Sequence, residues 1–258
     1  MNKRGSHVGA MLSFVIFITF LIFLYSILQP ALKIEGSKED MVDYLTGKLR
    51  ENFTEQLLSI SITINEAYTG DYISSGKSCL NAKNILTGIE QPSIGLNRDL
   101  LIIKNSSNSI LPYIIETDDL SIKTGLHFDG FFKVYSSKYI ETSKCPTCGI
   151  SGCYLKTGTT TIPYTITSVG QMNETFLKKA RRFKEDYELT GAYETIKTQL
   201  KVPENIEFSF TFRTAEGEII EPSKVPPTGA NIYVGETPIL YIDESANLEP
   251  GFLTLKVW

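Results

Sequence analysis

The stretch "SKCPTCGISGCYLKTG" gathers three of the chain's four cysteines, Cys145, Cys148 and Cys153, while the fourth, Cys79, stands far upstream. Two chemistries fit. Thiolates with two residues between them can share one metal, and a tetrahedral zinc site needs four ligands. Cys145 and Cys148 would supply two, leaving only Cys153 and Cys79 to complete it, since both histidines lie elsewhere, His7 near the N-terminus and His127 in "GLHFDG". An even number of cysteines also suits disulfides that staple a loop in an oxidising compartment. Four cysteines allow three pairings, and the spacing selects none. Disulfides among Cys79, Cys145, Cys148 and Cys153 are the expectation, with a four-cysteine zinc site on the same residues as the alternative. A redox-active C-x-x-C does not fit, because it opens a helix beside a βαβ pattern and Gly149-Ile150-Ser151-Gly152 is no helix start.

Within that stretch, Cys145-Pro146-Thr147-Cys148-Gly149 resembles the knuckle of zinc ribbons and rubredoxins, but a second knuckle is missing. Other catalytic signatures are absent from the sequence: no G-x-S-x-G, H-E-x-x-H, phosphate-binding loop or dinucleotide fingerprint occurs. Asp118, Asp119, Asp129 and Glu141 are scattered acids that read as solvated loop charge. His127 has no identifiable partner for acid–base work. The chain is therefore not read as an enzyme, and no cofactor is implied. Three N-x-[ST] sequons, at Asn52, Asn105 and Asn173, are permissive glycosylation candidates.

The residues before and after these sites set their positions. Met41, Tyr44, Leu45 and Leu49 recur at helical spacing behind Ser37 as N-cap, which predicts a short amphipathic helix to about Phe53. Pro30 and Gly36 predict a bend or linker ahead of it. The period then switches to two. Leu58, Ile60, Ile62 and Ile64 alternate with polar residues, as do Phe208, Phe210 and Phe212, and at the C-terminus Leu253, Leu255 and Val257. Shorter strands are predicted at Leu100–Lys104, Tyr113–Glu116, Phe131–Tyr135, Ile162–Thr167 and Pro238–Ile242. Alternation favours antiparallel pairing. Phe176, Ala180, Phe183 and Tyr187, then Tyr193, Ile196 and Leu200, predict a helical interruption ended by Pro203. The basic run Lys178, Lys179, Arg181, Arg182 reads as a solvated helix face, because Glu185, Asp186 and Glu188 follow at once.

The N-terminal segment places the whole. Val8–Leu28 is an apolar run of 21 residues, about 32 Å as a helix, against a hydrocarbon core of about 30 Å. It is longer than a secretory signal's apolar region and no small-x-small site follows it. The expectation is a retained single membrane span at the cytoplasmic membrane. Lys3 and Arg4 put the N-terminus inside, with the C-terminal domain extracellular. Beyond those two cations, 23 basic residues face 29 acidic ones, a mild acidity that argues against nucleic-acid binding.

Lys3-Arg4-Gly5 directly before this long apolar helix resembles the class III signal of prepilin-type proteins. The stretches "VPENIEFSFTFRTAEGEIIEP" and "NIYVGETPILYIDESANLEPGFLTLKVW" are similar to the heads of archaeal type IV pilin-like, membrane-anchored surface proteins. The resemblance implies cleavage by a prepilin peptidase between Gly5 and Ser6. It implies an α+β fold: transmembrane helix, short amphipathic helix, then an antiparallel β-sheet head with a helical insertion. The expected organisation is a cytoplasmic basic leader at 1–5, a transmembrane helix at 6–30 and an extracytoplasmic head at 31–258. Membrane lipid, other pilin-like subunits and the peptidase are the implied partners. Many pilins carry glutamate at the fifth mature position; that position here is Ala10, which implies a minor pilin or filament-associated subunit. The alternative is a single-span anchored module whose head binds an extracellular ligand or partner protein.

Overall fold

A computed structural model describes residues 6–64, 79–82, 100–116, 119–123, 129–145 and 164–258, with the backbone alone described at 6–8, 10, 27–37, 79–82, 116 and 119. Helix α1 spans Ser6–Phe53, 48 residues, about 72 Å at 1.5 Å per residue. The predicted bend is corrected: α1 runs through Pro30 and Gly36 without a break. A proline forfeits one helical hydrogen bond, but Ala31, Leu32 and Lys33 just beyond it are strong helix formers.

The expectation of a transmembrane helix is also corrected. Among the described residues no helix is long and apolar enough to cross a membrane. Ser13, Thr19 and Ser26 interrupt the apolar stretch of α1. The transmembrane division at 6–30, the single-pass architecture and the cytoplasmic-membrane localisation with the N-terminus inside lose their support with it.

The head carries twelve described strands: β1 (Thr54–Ile64), β2 (Cys79–Ala82), β3 (Leu101–Asn105), β4 (Ile110–Leu111), β5 (Tyr113–Glu116), β6 (Asp119–Lys123), β7 (Phe131–Ser136), β8 (Tyr164–Phe176), β9 (Phe208–Arg213), β10 (Ile219–Ile220), β11 (Tyr233–Ile242) and β12 (Leu248–Val257). Two helices, α2 (Leu177–Glu188) and α3 (Ala192–Gln199), interrupt them where the helical spacing predicts. Nine strands form one sheet in the order β10-β9-β12-β11-β8-β1-β7-β3-β4, and β2-β6-β5 form a second. The head is thus α+β, but not purely antiparallel: β11 pairs with β8 in parallel, and only at Tyr241↔Thr175 and Ile242↔Phe176. The large sheet is therefore two antiparallel blocks joined at a narrow seam.

Burial follows the period-two pattern. Leu58, Ile60, Ile62, Ile64, Phe208, Phe210, Leu253 and Leu255 are all buried. The C-terminal part of α1 lies with α2 and α3 over β9, β11 and β12, placing Val42, Leu45, Leu49 and Phe53 in one core with Phe208, Phe210 and Leu255. Phe53 anchors it, its ring centroid 5.5 Å from Phe183, 5.8 Å from Phe210 and 6.2 Å from Phe212. The small sheet closes a second core through Tyr113, Leu120 and Ile122 against Ile60, Ile62, Phe132 and Val134. A third, smaller cluster joins Ile242 and Ala246 of the β11–β12 turn region to Leu57, Ile102, Ile140 and Phe176.

Candidate assembly interface

The residues that stand out for interaction are apolar ones left uncovered. Thirteen large apolar side chains between Met11 and Tyr25 are exposed, from 37% at Ile18 and Leu24 to 73% at Met11. Phe14 to Ile18 are consecutive, as are Phe20 to Tyr25, so the exposure runs round every side of the helix. An amphipathic surface helix hides one stripe; a helix apolar all round belongs inside something larger. An exposed apolar surface on this scale marks an interaction site. Thr19 and Ser26, two polar residues of the segment, are turned inward on the helix itself. Thr19 Oγ1 donates to Val15 O at 3.0 Å and Ile16 O at 2.9 Å, and Ser26 Oγ donates to Ile22 O at 2.9 Å. Their hydrogen-bonding needs are met without water, which suits an apolar surrounding.

At its base the helix packs into the head. Val42 and Leu45 enter the core. Val42 Cγ1 lies 2.5 Å from where a Cβ on residue 235 would stand, so glycine at 235 lets the helix approach β11. Lys38 Nζ sits 5.6 Å from the centroid of the Tyr233 ring. Glu39, Val42, Asp43, Ile232, Val234 and Gly235 line a cleft at this junction. It continues the apolar character of the helix onto the head, since Ile232 and Val234 are exposed.

The other predicted site residues are placed as follows. Gly5 lies outside the described residues, and Ser6 is the first residue of α1. Cys148, Cys153, His127 and Asp118 also lie outside them. Cys79 opens β2 opposite Lys123. Cys145 is disulfide-bonded, and its backbone N–H donates to Tyr113 O at 2.8 Å. No pair of cysteines at disulfide distance lies within the described residues, so the expected two-bridge staple is not placed and no pairing is selected. Among the described residues no group of three or more histidine, cysteine or acidic side chains is arranged to hold a metal. Asn52 and Asn173 are exposed, whereas Asn105 is half-buried and its Oδ1 accepts from Ser109 N at 2.8 Å, closing the β3–β4 turn. Asp129 Oδ1 accepts from Phe131 N at 3.1 Å and is part of a turn.

The basic run on α2 is more than a solvated face. Lys179 Nζ donates to Thr54 O at 2.6 Å, tying α2 to the start of β1. Arg181 bridges Glu218 and Glu244, each at 2.7 Å. The hydrogen bonds that Arg181 donates to Glu218 raise its pKa further against the opposing effect of burial. Glu216, Asp243 and Glu249 line the same cleft. This acid–arginine cleft had no local signal, because its members are spread over 177–249. Lys104 had a faint one: a lone cation within the otherwise apolar strand "LIIKN". No family model, no curated protein and no solved structure matches the chain.

Proposed function

We propose that the protein is a pilin-like structural subunit that assembles through its N-terminal helix, the head being the part it presents. One observation carries this reading: the helix is apolar and exposed round its whole circumference over Met11–Tyr25. A two-helix coiled coil needs only a seam of apolar residues. Apolar residues on every side call for neighbours on every side, as in the centre of a multi-subunit helical bundle. The inward-bonded Thr19 and Ser26 and the packing of α1 on β11 support it. A stiff rod fixed to its head transmits a defined spacing from bundle to surface. Ala10 supplies no carboxylate near the helix tip, so the subunit is read as a minor or capping one.

Sedimentation velocity of the full chain without detergent tests this. Alone, the chain forms small helix-mediated oligomers. The double substitution Ile16→Glu with Phe20→Glu returns it to a monomer while the head keeps its thermal transition. A wild-type chain that stays monomeric, or a charged variant that still associates, removes the reading.

A further inference from the structure

Lys104 is 1% exposed, yet among the described residues it makes no ion pair. Its Nζ donates to Asn247 Oδ1 at 2.6 Å and to Ala246 O at 3.1 Å, and lies 5.5 Å from the centroid of the Tyr135 ring. Burying an ammonium on neutral acceptors disfavours its charged form. Burial accordingly lowers the Lys104 pKa, with Asp243 and Glu249 opposing at longer range and Lys133 adding to the fall. The group is therefore pushed toward the free amine, a nucleophile.

The amide it meets is held at every polar atom. Asn247 Oδ1 also accepts from Asn108 Nδ2 at 3.1 Å. Asn247 Nδ2 donates to Asp243 Oδ2 at 2.9 Å, and the Asn247 backbone N–H donates to Asp243 Oδ1 at 2.7 Å. An amine thus stands against the carbonyl, a neutral donor polarises its oxygen, and a carboxylate touches the nitrogen that would leave.

We propose that Lys104 and Asn247 join in an intramolecular isopeptide bond, with Asp243 transferring the proton. The neutral Lys104 Nζ attacks Cγ of Asn247 and forms a C–N bond. The carbonyl electron pair moves onto Oδ1, where the Asn108 N–H stabilises it as an oxyanion-hole donor does. As the C–N bond forms, the Lys104 nitrogen comes onto the same carbon as Nδ2, which Asp243 Oδ2 contacts at 2.9 Å; from there Asp243 takes the proton of the attacking nitrogen and gives it to Nδ2. The carbonyl re-forms, the Cγ–Nδ2 bond breaks, and ammonia leaves. One amine and one primary amide become one secondary amide and one ammonia, with no oxidant, reductant or co-reactant.

The bond has a place in the architecture. Lys104 is on β3, in one antiparallel block, and Asn247 is in the β11–β12 turn of the other. Between the blocks the β8–β11 seam has two paired positions. A covalent tie from Lys104 to Asn247 spans that seam, so the head cannot open there without breaking a covalent bond. The bond forms within one head, whether or not the helix assembles.

Mass spectrometry of the full chain, reduced and digested, tests it. The expected result is a branched peptide joining the Lys104 and Asn247 segments, lighter than their sum by one ammonia. Asn247→Ala and Lys104→Met each abolish the branch. Asp243→Asn, folded by circular dichroism, leaves the chain uncross-linked or slows the loss of ammonia at least tenfold. Recovery of Lys104 only in a linear peptide of the folded wild-type chain, after incubation to constant mass, overturns the bond. Undiminished cross-linking in Asp243→Asn overturns the role of Asp243.

Discussion

Glu207 shows how a single carboxylate ties the C-terminal half of the head together. Lys197 Nζ, 3% exposed as a residue, donates to Glu207 Oε1 at 2.9 Å, and Lys224 Nζ donates to Oε2. Beside them Tyr187 OH donates to Phe208 O, and the Tyr187 and Tyr193 rings meet edge-on at 4.8 Å. Burial pushes the Glu207 carboxyl up, but hydrogen bonds from Lys224, Tyr193 and Lys197 outweigh it and hold it down to about 2. A carboxylate with a depressed folded pKa contributes stability that is present above its ordinary value of 4.5 and fades as pH falls toward the folded value. Glu207→Gln is therefore less stable than wild type at pH 7, and the gap narrows as pH falls from about 4.5 to about 2. Urea unfolding of both proteins at several pH values measures it; a gap unchanged at pH 2 would rule out the charge as its source. None of this was legible from sequence. Lys197 is the single lysine of α3, followed by Thr198 and Gln199, and its burial depends on a loop that returns Glu207 beneath it. The same holds for Lys104 and Asn247, whose contact exists only once β3 and the β11–β12 turn are folded together.

Elements were legible where a side-chain period reports a buried face. The alternation in β1, β9 and β12 follows directly from which side of the sheet meets a core, and the stripes of α2 and α3 from their packing on β9 and α1. Two features were not. Pro30 and Gly36 signal an interruption, yet α1 continues, since local breakers set only a preference that flanking turns can override. The full β8, Tyr164–Phe176, hides behind the polar run "TSVGQMNE", which has no buried face to give it a period. Its parallel contact with β11 depends on a crossover through α2 and α3. A methyl on residue 235 would meet Val42 Cγ1 at 2.5 Å, and overpacking of this kind costs about 1–3 kcal/mol. Gly235→Ala is expected to destabilise the head by that amount in urea unfolding. Val42→Ala in the same chain removes the clashing carbon, so the double variant should cost less than the sum of the two single changes. Simple additivity would mean that α1 is not seated against Gly235.

The helix and the head differ in what they leave uncovered. The head buries three apolar clusters of its own, though Ile232 and Val234 beside the helix stay exposed, while the helix leaves its apolar side chains between Met11 and Tyr25 uncovered. In the proposed assembly, the residues at the helix tip set how subunits can associate. Lys3 and Arg4 precede α1 within a few residues, and burying an unpaired charge among apolar helices is strongly opposed. Cleavage between Gly5 and Ser6 would remove both cations and leave one α-amino group at Ser6. Ala10 offers no carboxylate to pair with that amine, so a bundle made only of this chain would gather unpaired positive charge at its axis. A subunit that joins in small number beside chains able to balance the charge avoids this. Edman sequencing of the native protein is therefore expected to begin Ser-His-Val, and electron microscopy of the purified mature chain to show no long filaments. An intact Met1 or Asn2 would remove the pilin-like reading. Homogeneous filaments from this chain alone would keep that reading but exclude the minor or capping role, because an amine without a carboxylate at Ala10 would then have proved no obstacle to a continuous core.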